Sequence, residues 1–132
     1  MQWQTNGLLE WIGHVDDMPA LLAKVDMMVL PSYREGLPKS LIEAAACGLP
    51  MIAADVPGCR EVITDGVDGL LIPVRDAAAL AAAIGRLDDD RELAQRLGLA
   101  ARETVRANFD EEIVIRQTID VYEELLPLKM PA

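Results

Sequence analysis

Three short apolar runs in the first half of the chain do most to limit what it can fold into: residues 27–30 (Met-Met-Val-Leu), 50–54 (Pro-Met-Ile-Ala-Ala) and 70–72 (Leu-Leu-Ile). None alternates polar with apolar, so each reads as a strand covered on both faces, which is the condition of strands in a parallel sheet. Residues 8–12 supply a similar run closed by Gly13. Between the runs lie helical signals. Residues 19–25 place Leu21, Leu22 and Val25 inward, and a second helix opens at Pro38 and closes at Gly48. Proline suits a first helical turn, and glycine suits the position just past the last. A third, shorter piece falls around residues 60–63 after the Pro57-Gly58 bend, and Asp65-Gly-Val-Asp-Gly69 is a turn cluster before the last run.

The alternation predicts an α/β fold: a partial Rossmann-like parallel sheet of about four strands, with right-handed crossovers and helices on both faces. After Asp76 the pattern becomes all-helical. Asp76 is the expected N-cap of a helix over residues 77–87, and further helices are expected over 92–106 and 111–126. The sheet part therefore covers about residues 8–75 and the helical part about 76–126, within one domain spanning 1–132. The last helix carries Ile115, Ile119, Tyr122 and Leu126 on one stripe, an apolar face that needs a partner.

Charge narrows the possible partners. A formal net charge of −10 repels phosphate backbones and anionic lipid, which argues against nucleic acid and against a polybasic membrane contact. No run of eighteen apolar residues and no signal-peptide pattern occurs, so a cytoplasmic protein without membrane insertion is expected. Cys47 and Cys59 have no metal-ligand spacing with His14, and are expected to be free thiols, with Cys47 a small buried hydrophobe. Asp88, Asp89 and Asp90 read as a solvated acidic turn, and no metal is assigned.

One residue breaks the logic of its own helix. Residues 41–47 (Leu-Ile-Glu-Ala-Ala-Ala-Cys) are small or aliphatic except for Glu43, and a charge in such a setting is costly unless something pairs with it. It has two kinds of partner open to it: backbone N–H groups or Arg60 in a structural role, or a ligand in a functional one. The helix start at Gly36 and Pro38 offers backbone N–H groups to an anion, and Glu35 stands on the other side of that start. Two carboxylates flanking an anion site suit a ligand with hydroxyls on both sides of a phosphate, as a nucleotide-sugar has. Pro38 to Glu43 is five helical steps, roughly 7.5 Å along the axis. Glu43 therefore stands just over one turn behind any anion held at the helix start. Parallel sheets bind ligands beyond the carboxyl ends of their strands, and residues 31–38 leave such an end.

Glu35-Gly36-Leu37-Pro38, Glu43, residues 44–50 (Ala-Ala-Ala-Cys-Gly-Leu-Pro), residues 57–61 (Pro-Gly-Cys-Arg-Glu) and residues 65–69 (Asp-Gly-Val-Asp-Gly) together resemble the C-terminal nucleotide-sugar domain of the retaining glycosyltransferases of family 4, the group 1 glycosyl transferases. The similarity runs over about residues 8–126. It implies half of a GT-B fold, in which two Rossmann-like domains face each other and the donor binds mainly to the C-terminal one. It also implies residue roles. Glu35 would bond hydroxyls of the transferred sugar and act at the catalytic centre. The backbone around Gly36, Leu37, Pro38 and Lys39 would meet the sugar and diphosphate, and Glu43 would hold the ribose hydroxyls. The turn at Gly13 and His14 would lie near the base. The donor is expected to be UDP-linked, on the family's habits, with no further cofactor.

The resemblance also implies what should accompany these residues. The family's arginine and lysine for the diphosphate lie on earlier β/α units, and its acceptor-binding domain lies before those. The chain starts at about the third strand of the domain, so it is expected to lack the N-terminal acceptor domain and to be inactive alone. Unpaired edge and apolar surface would then favour a homodimer or a larger species. Two other readings stay open: a non-catalytic nucleotide-sugar binding module, and a protein-interaction domain.

Overall fold

The computed structural model describes residues 15–32, 36 and 38–109, together with 7, 9, 10, 12 and 13. Strand β1 is Met28–Leu30, β2 is Met51–Ala54 and β3 is Leu70–Ile72, all parallel and in the order β1-β2-β3. Met28 faces Met51, Val29 faces Ile52 and Leu30 faces Ala53 on one side of β2. On its other side Ile52 faces Leu70, Ala53 faces Leu71 and Ala54 faces Ile72. Every residue of β2 is buried, as expected for the middle strand, whereas all three of β1 are only half-buried. Pro50 stays outside β2 but its carbonyl accepts the Met28 N–H at 2.9 Å, a use of proline that costs the sheet no donor.

The sheet has three strands among the described residues, where about four were expected. Leu9, Glu10 and Ile12 belong to none of them, and Leu8 and Trp11 fall outside the described residues. Helix α1 is Met18–Leu22, α2 is Lys39–Ala46, α3 is Pro57–Arg60, α4 is Ala77–Asp89 and α5 is Arg91–Phe109. The expected helix over residues 111–126 lies outside the described residues. Helix α3 starts three residues before the expected position and is followed by a turn. The cause is Pro57, whose fixed φ suits the first helical position, with Val56 in extended conformation as N-cap.

The three longer helices stop and start by recognisable devices. Helix α2 ends in a Schellman motif: the Leu49 N–H reaches Ala44 O at 3.1 Å, the Gly48 N–H reaches Ala45 O at 2.9 Å, and Gly48 takes φ +75°. Asp76 caps α4 as its position foretells, accepting the Ala79 N–H at 2.9 Å. Asp90 is more than a member of an acidic turn. Asp88 and Asp89 lie in the last turn of α4, while Asp90 caps α5 by accepting the Leu93 N–H at 3.0 Å.

Two cores result from the pleat. Met51 and Ala53 point to one face, where they meet Leu41, Ile42, Ala44 and Ala45 of α2 and Cys59 of α3. Ile52 points to the other, with Leu70 and Ile72, under Ala83 and Leu87 of α4. Helix α5 serves both: Leu93, Ala94 and Leu97 join the α4 side, while Ala101 and Val105 join the α2 side. At the crossover α5 passes so close to the end of α2 that a Cβ on Gly98 would collide with the Gly48 carbonyl oxygen.

Candidate functional site

The β1–α2 connection leaves the carboxyl end of the sheet and returns as α2, so the start of α2 stands at the rim where parallel sheets bind ligands. Pro38 is the N-cap, with extended φ −77° and ψ 100°, one position earlier than the helical turn it was expected to open. It is buried, and it supplies no side-chain cap. The first intrahelical bonds run from Leu41 N–H to Pro38 O at 3.1 Å and from Ile42 N–H to Pro38 O at 3.3 Å. Lys39 and Ser40 precede them, and their N–H groups are the ones a helix start presents to an anion. Gly36, in a bend before the helix, is exposed, and an added Cβ there would meet nothing within 4 Å. Among the described residues nothing crowds its backbone.

Glu43 lies one turn into α2 and is half-buried, between the fully buried Ile42 and Ala44. It shares its stripe of the helix with Lys39, Ser40 and Cys47, the exposed and half-exposed positions, so its desolvation is milder than the apolar sequence around it implies. Its charge is felt by Cys47 one turn on. Burial pushes the Cys47 thiol up to about 12, Glu43 adds to the rise, and Arg102 of α5 opposes it. Arg102 is itself pulled below the usual guanidinium range, first by burial and then by Arg106 one turn along α5. Cys47 is half-buried, a correction to the expectation of a buried hydrophobe, because it is the C-cap on the less covered stripe; both cysteines are free thiols. Arg60 turns to Asp55 at the carboxyl end of β2, Nε to Oδ1 at 2.6 Å, across an exposed pair.

Of the residues singled out in the sequence, α2 brings Pro38, Lys39 and Glu43 onto one short helix, with Gly36 just before it. Gly13 is exposed, with φ +66°. His14, Glu35 and Leu37 lie outside the described residues. The structure adds features that no motif announced. A cavity of about 290 Å³ opens at the carboxyl ends of all three strands, lined by Pro31, Ala54, Ile72, Arg75 and Leu80 among others. Arg102 and Arg106 could have been noticed from their i, i+4 spacing on α5, but only the packing of α5 on α2 places Arg102 beside Cys47. Among the described residues no three His, Cys, Asp or Glu side chains converge as a metal site requires.

Comparison with known proteins adds to this geometry. Residues 2–90 match the sequence profile of the family described as Glycosyl transferases group 1. The chain is 34% identical, over 96% of its own length and 33% of the relative's, to the N,N'-diacetylbacillosaminyl-diphospho-undecaprenol alpha-1,3-N-acetylgalactosaminyltransferase of Campylobacter jejuni. Among solved structures it superposes on sucrose-phosphate synthase from Thermosynechococcus elongatus with a TM-score of 0.77 and 34% identity, covering 96% of this chain and 33% of that one. HepE of Anabaena, solved in complex with UDP-glucose, gives a TM-score of 0.77 at 26% identity, covering 96% of this chain and 35% of that one. The chain thus spans about a third of the length of the proteins it matches.

Proposed function

The chain belongs to the group 1 glycosyl transferases, with the α/β architecture of a GT-B C-terminal domain, and we propose on that basis that it is the donor-binding part of a retaining enzyme. In this reading a UDP-linked sugar is transferred to a glycan or lipid-linked acceptor in the cytoplasm. The observation that carries the proposal is the start of α2: a helix N-terminus with no side-chain cap among the described residues, at the carboxyl rim of the sheet, with Glu43 one turn behind it. The N–H groups of Lys39 and Ser40 meet the diphosphate, Glu43 accepts from the ribose hydroxyls, and Glu35 acts on the transferred sugar. Gly36, Leu37 and Pro38 line the approach, and the turn at Gly13 and His14 lies beside the base.

Support comes also from the HepE complex with UDP-glucose, a structure that shares this fold with the chain. The Campylobacter jejuni enzyme is named for a diphospho-undecaprenol acceptor and the Thermosynechococcus elongatus one for a sucrose-phosphate product, so the acceptor here is assigned only by class. Stabilising the leaving diphosphate takes cationic groups, and this reading draws them from upstream β/α units together with the acceptor domain. The 132-residue chain alone therefore binds donor without turning it over. The half-buried β1, which pairs only with β2 among the described residues, is the edge through which the isolated chain associates. Light scattering that shows a clean monomer at high concentration contradicts that part.

Titration of UDP-glucose into the chain, followed by amide chemical shifts and by assay of released glucose in the same sample, tests the site. The expected result is saturable shifts centred on Gly36, Lys39 and Ser40 with no sugar released. Shifts confined to other elements, or sugar release by the chain alone, would overturn it.

A further inference from the structure

Strand β3 is the outer strand of the sheet among the described residues, with β2 on one side only. A strand of three residues leaves little backbone to protect. Ile72 turns its carbonyl inward, where it accepts the Asp55 N–H at 2.7 Å, and alternation then turns the Leu71 N–H outward. That outward donor is taken: Asp65 Oδ1 accepts it at 2.9 Å. Beside it, a groove of about 300 Å³ runs between β3 and α4, walled by Leu70, Leu71, Ala79 and Ala83, with Asp65 and Arg86 as its charged lining. An apolar groove along an unpaired strand is what an incoming strand of another molecule would use.

The loop that carries Asp65 is itself fixed from below. Asp68, only 2% exposed, is the sole buried charged residue among those described. Its Oδ1 accepts the Thr64 N–H at 2.7 Å and its Oδ2 accepts the Thr104 hydroxyl of α5, also at 2.7 Å. The Gly66 N–H closes the turn on Gly69 O at 2.8 Å. Residues 64–69 are thus pinned to α5 at one end and folded back over the rim of β3 at the other.

We propose that Asp65 is an edge guard: its carboxylate occupies the one outward donor of β3 and puts a negative charge over the groove, so that no strand of a second copy can extend the sheet there. Thr104 and Asp68 are positioning residues for that guard. Association through the opposite edge, at β1, leaves Leu71 untouched, which lets the two be told apart.

Hydrogen exchange of the Leu71 amide and sedimentation over a range of concentrations, on the full chain and its variants, form the test. In the parent chain the Leu71 amide should be protected although it lies on the rim. In Asp65→Ala it should exchange about tenfold to a hundredfold faster, the scale of a lost hydrogen bond to a charged group. The sedimenting mass should grow with concentration beyond that of the parent. Asp65→Asn, whose amide oxygen can accept the same N–H, should keep Leu71 protected, and Thr104→Val should loosen it partly. A parent chain whose Leu71 amide exchanges as an unstructured one overturns the proposal without recourse to any variant. So does an Asp65→Ala variant with unchanged exchange, or with the parent's mass at every concentration.

Discussion

Glu43 shows how a charge can be tolerated in the apolar stretch of a helix. Ile42 and Ala44 beside it are fully buried, but the helical turn places Glu43 on the stripe with Lys39, Ser40 and Cys47, where water still reaches. The same stripe sets the chemistry of Cys47. With the thiol pushed up to about 12 by burial and then by Glu43, Cys47 is almost wholly protonated near neutrality. At pH 8 its alkylation, mapped by peptide mass, should run about a thousandfold slower in the folded chain than in the urea-unfolded one. Equal rates would contradict the assignment. The stability sign follows. A thiol raised above its ordinary value of 9.0 favours the folded state fully below that pH, and the contribution is lost as pH climbs from there toward about 12.

At the scale of elements, the contact between α2 and α5 is the most demanding. Gly98 admits α5 against the Gly48 carbonyl, so Gly98→Ala must push backbone apart, and urea unfolding should show a loss of about 1–3 kcal/mol. Asp76→Ala should cost about 1 kcal/mol by removing the cap on Ala79. The two cases also mark what can be read in advance. Asp76, like the Pro38–Gly48 limits of α2, declares itself through local chemistry, and the strands at residues 28–30, 51–54 and 70–72 declare themselves through their unbroken apolar character. Gly98 does not, because its constraint comes from an element fifty residues away in sequence. Asp68 is similar. It stands in a turn cluster that local rules explain fully, yet its buried oxygens are claimed by Thr64 and by Thr104 of a helix that only the fold brings near. Helix α3 starts at Pro57, ahead of the expected residues 60–63, because a Pro-Gly pair that local rules place in a bend here opens a helix. Of the candidate site, the helix start and Glu43 were legible; the cavity at the strand ends and Arg102 beside Cys47 depend on packing and were not.

For the whole molecule, membership in the group 1 glycosyl transferases fits a parallel sheet, three strands of it among the described residues, whose carboxyl rim carries the start of α2. No helix among the described residues is long and apolar enough to cross a membrane. On the proposed reading, a polypeptide that joins an upstream Rossmann-like domain to this chain should transfer sugar and the chain by itself should not; a joined protein that binds UDP-sugar but transfers nothing to any acceptor would favour a binding module instead. The donor site itself is tested most directly by calorimetric titration of UDP into the chain and into Glu43→Ala. Saturable binding that weakens about ten- to a hundredfold in the variant, the scale of lost hydrogen bonds to a carboxylate, is the predicted result; UDP binding that Glu43→Ala leaves unchanged, or no binding to the parent chain, would contradict it.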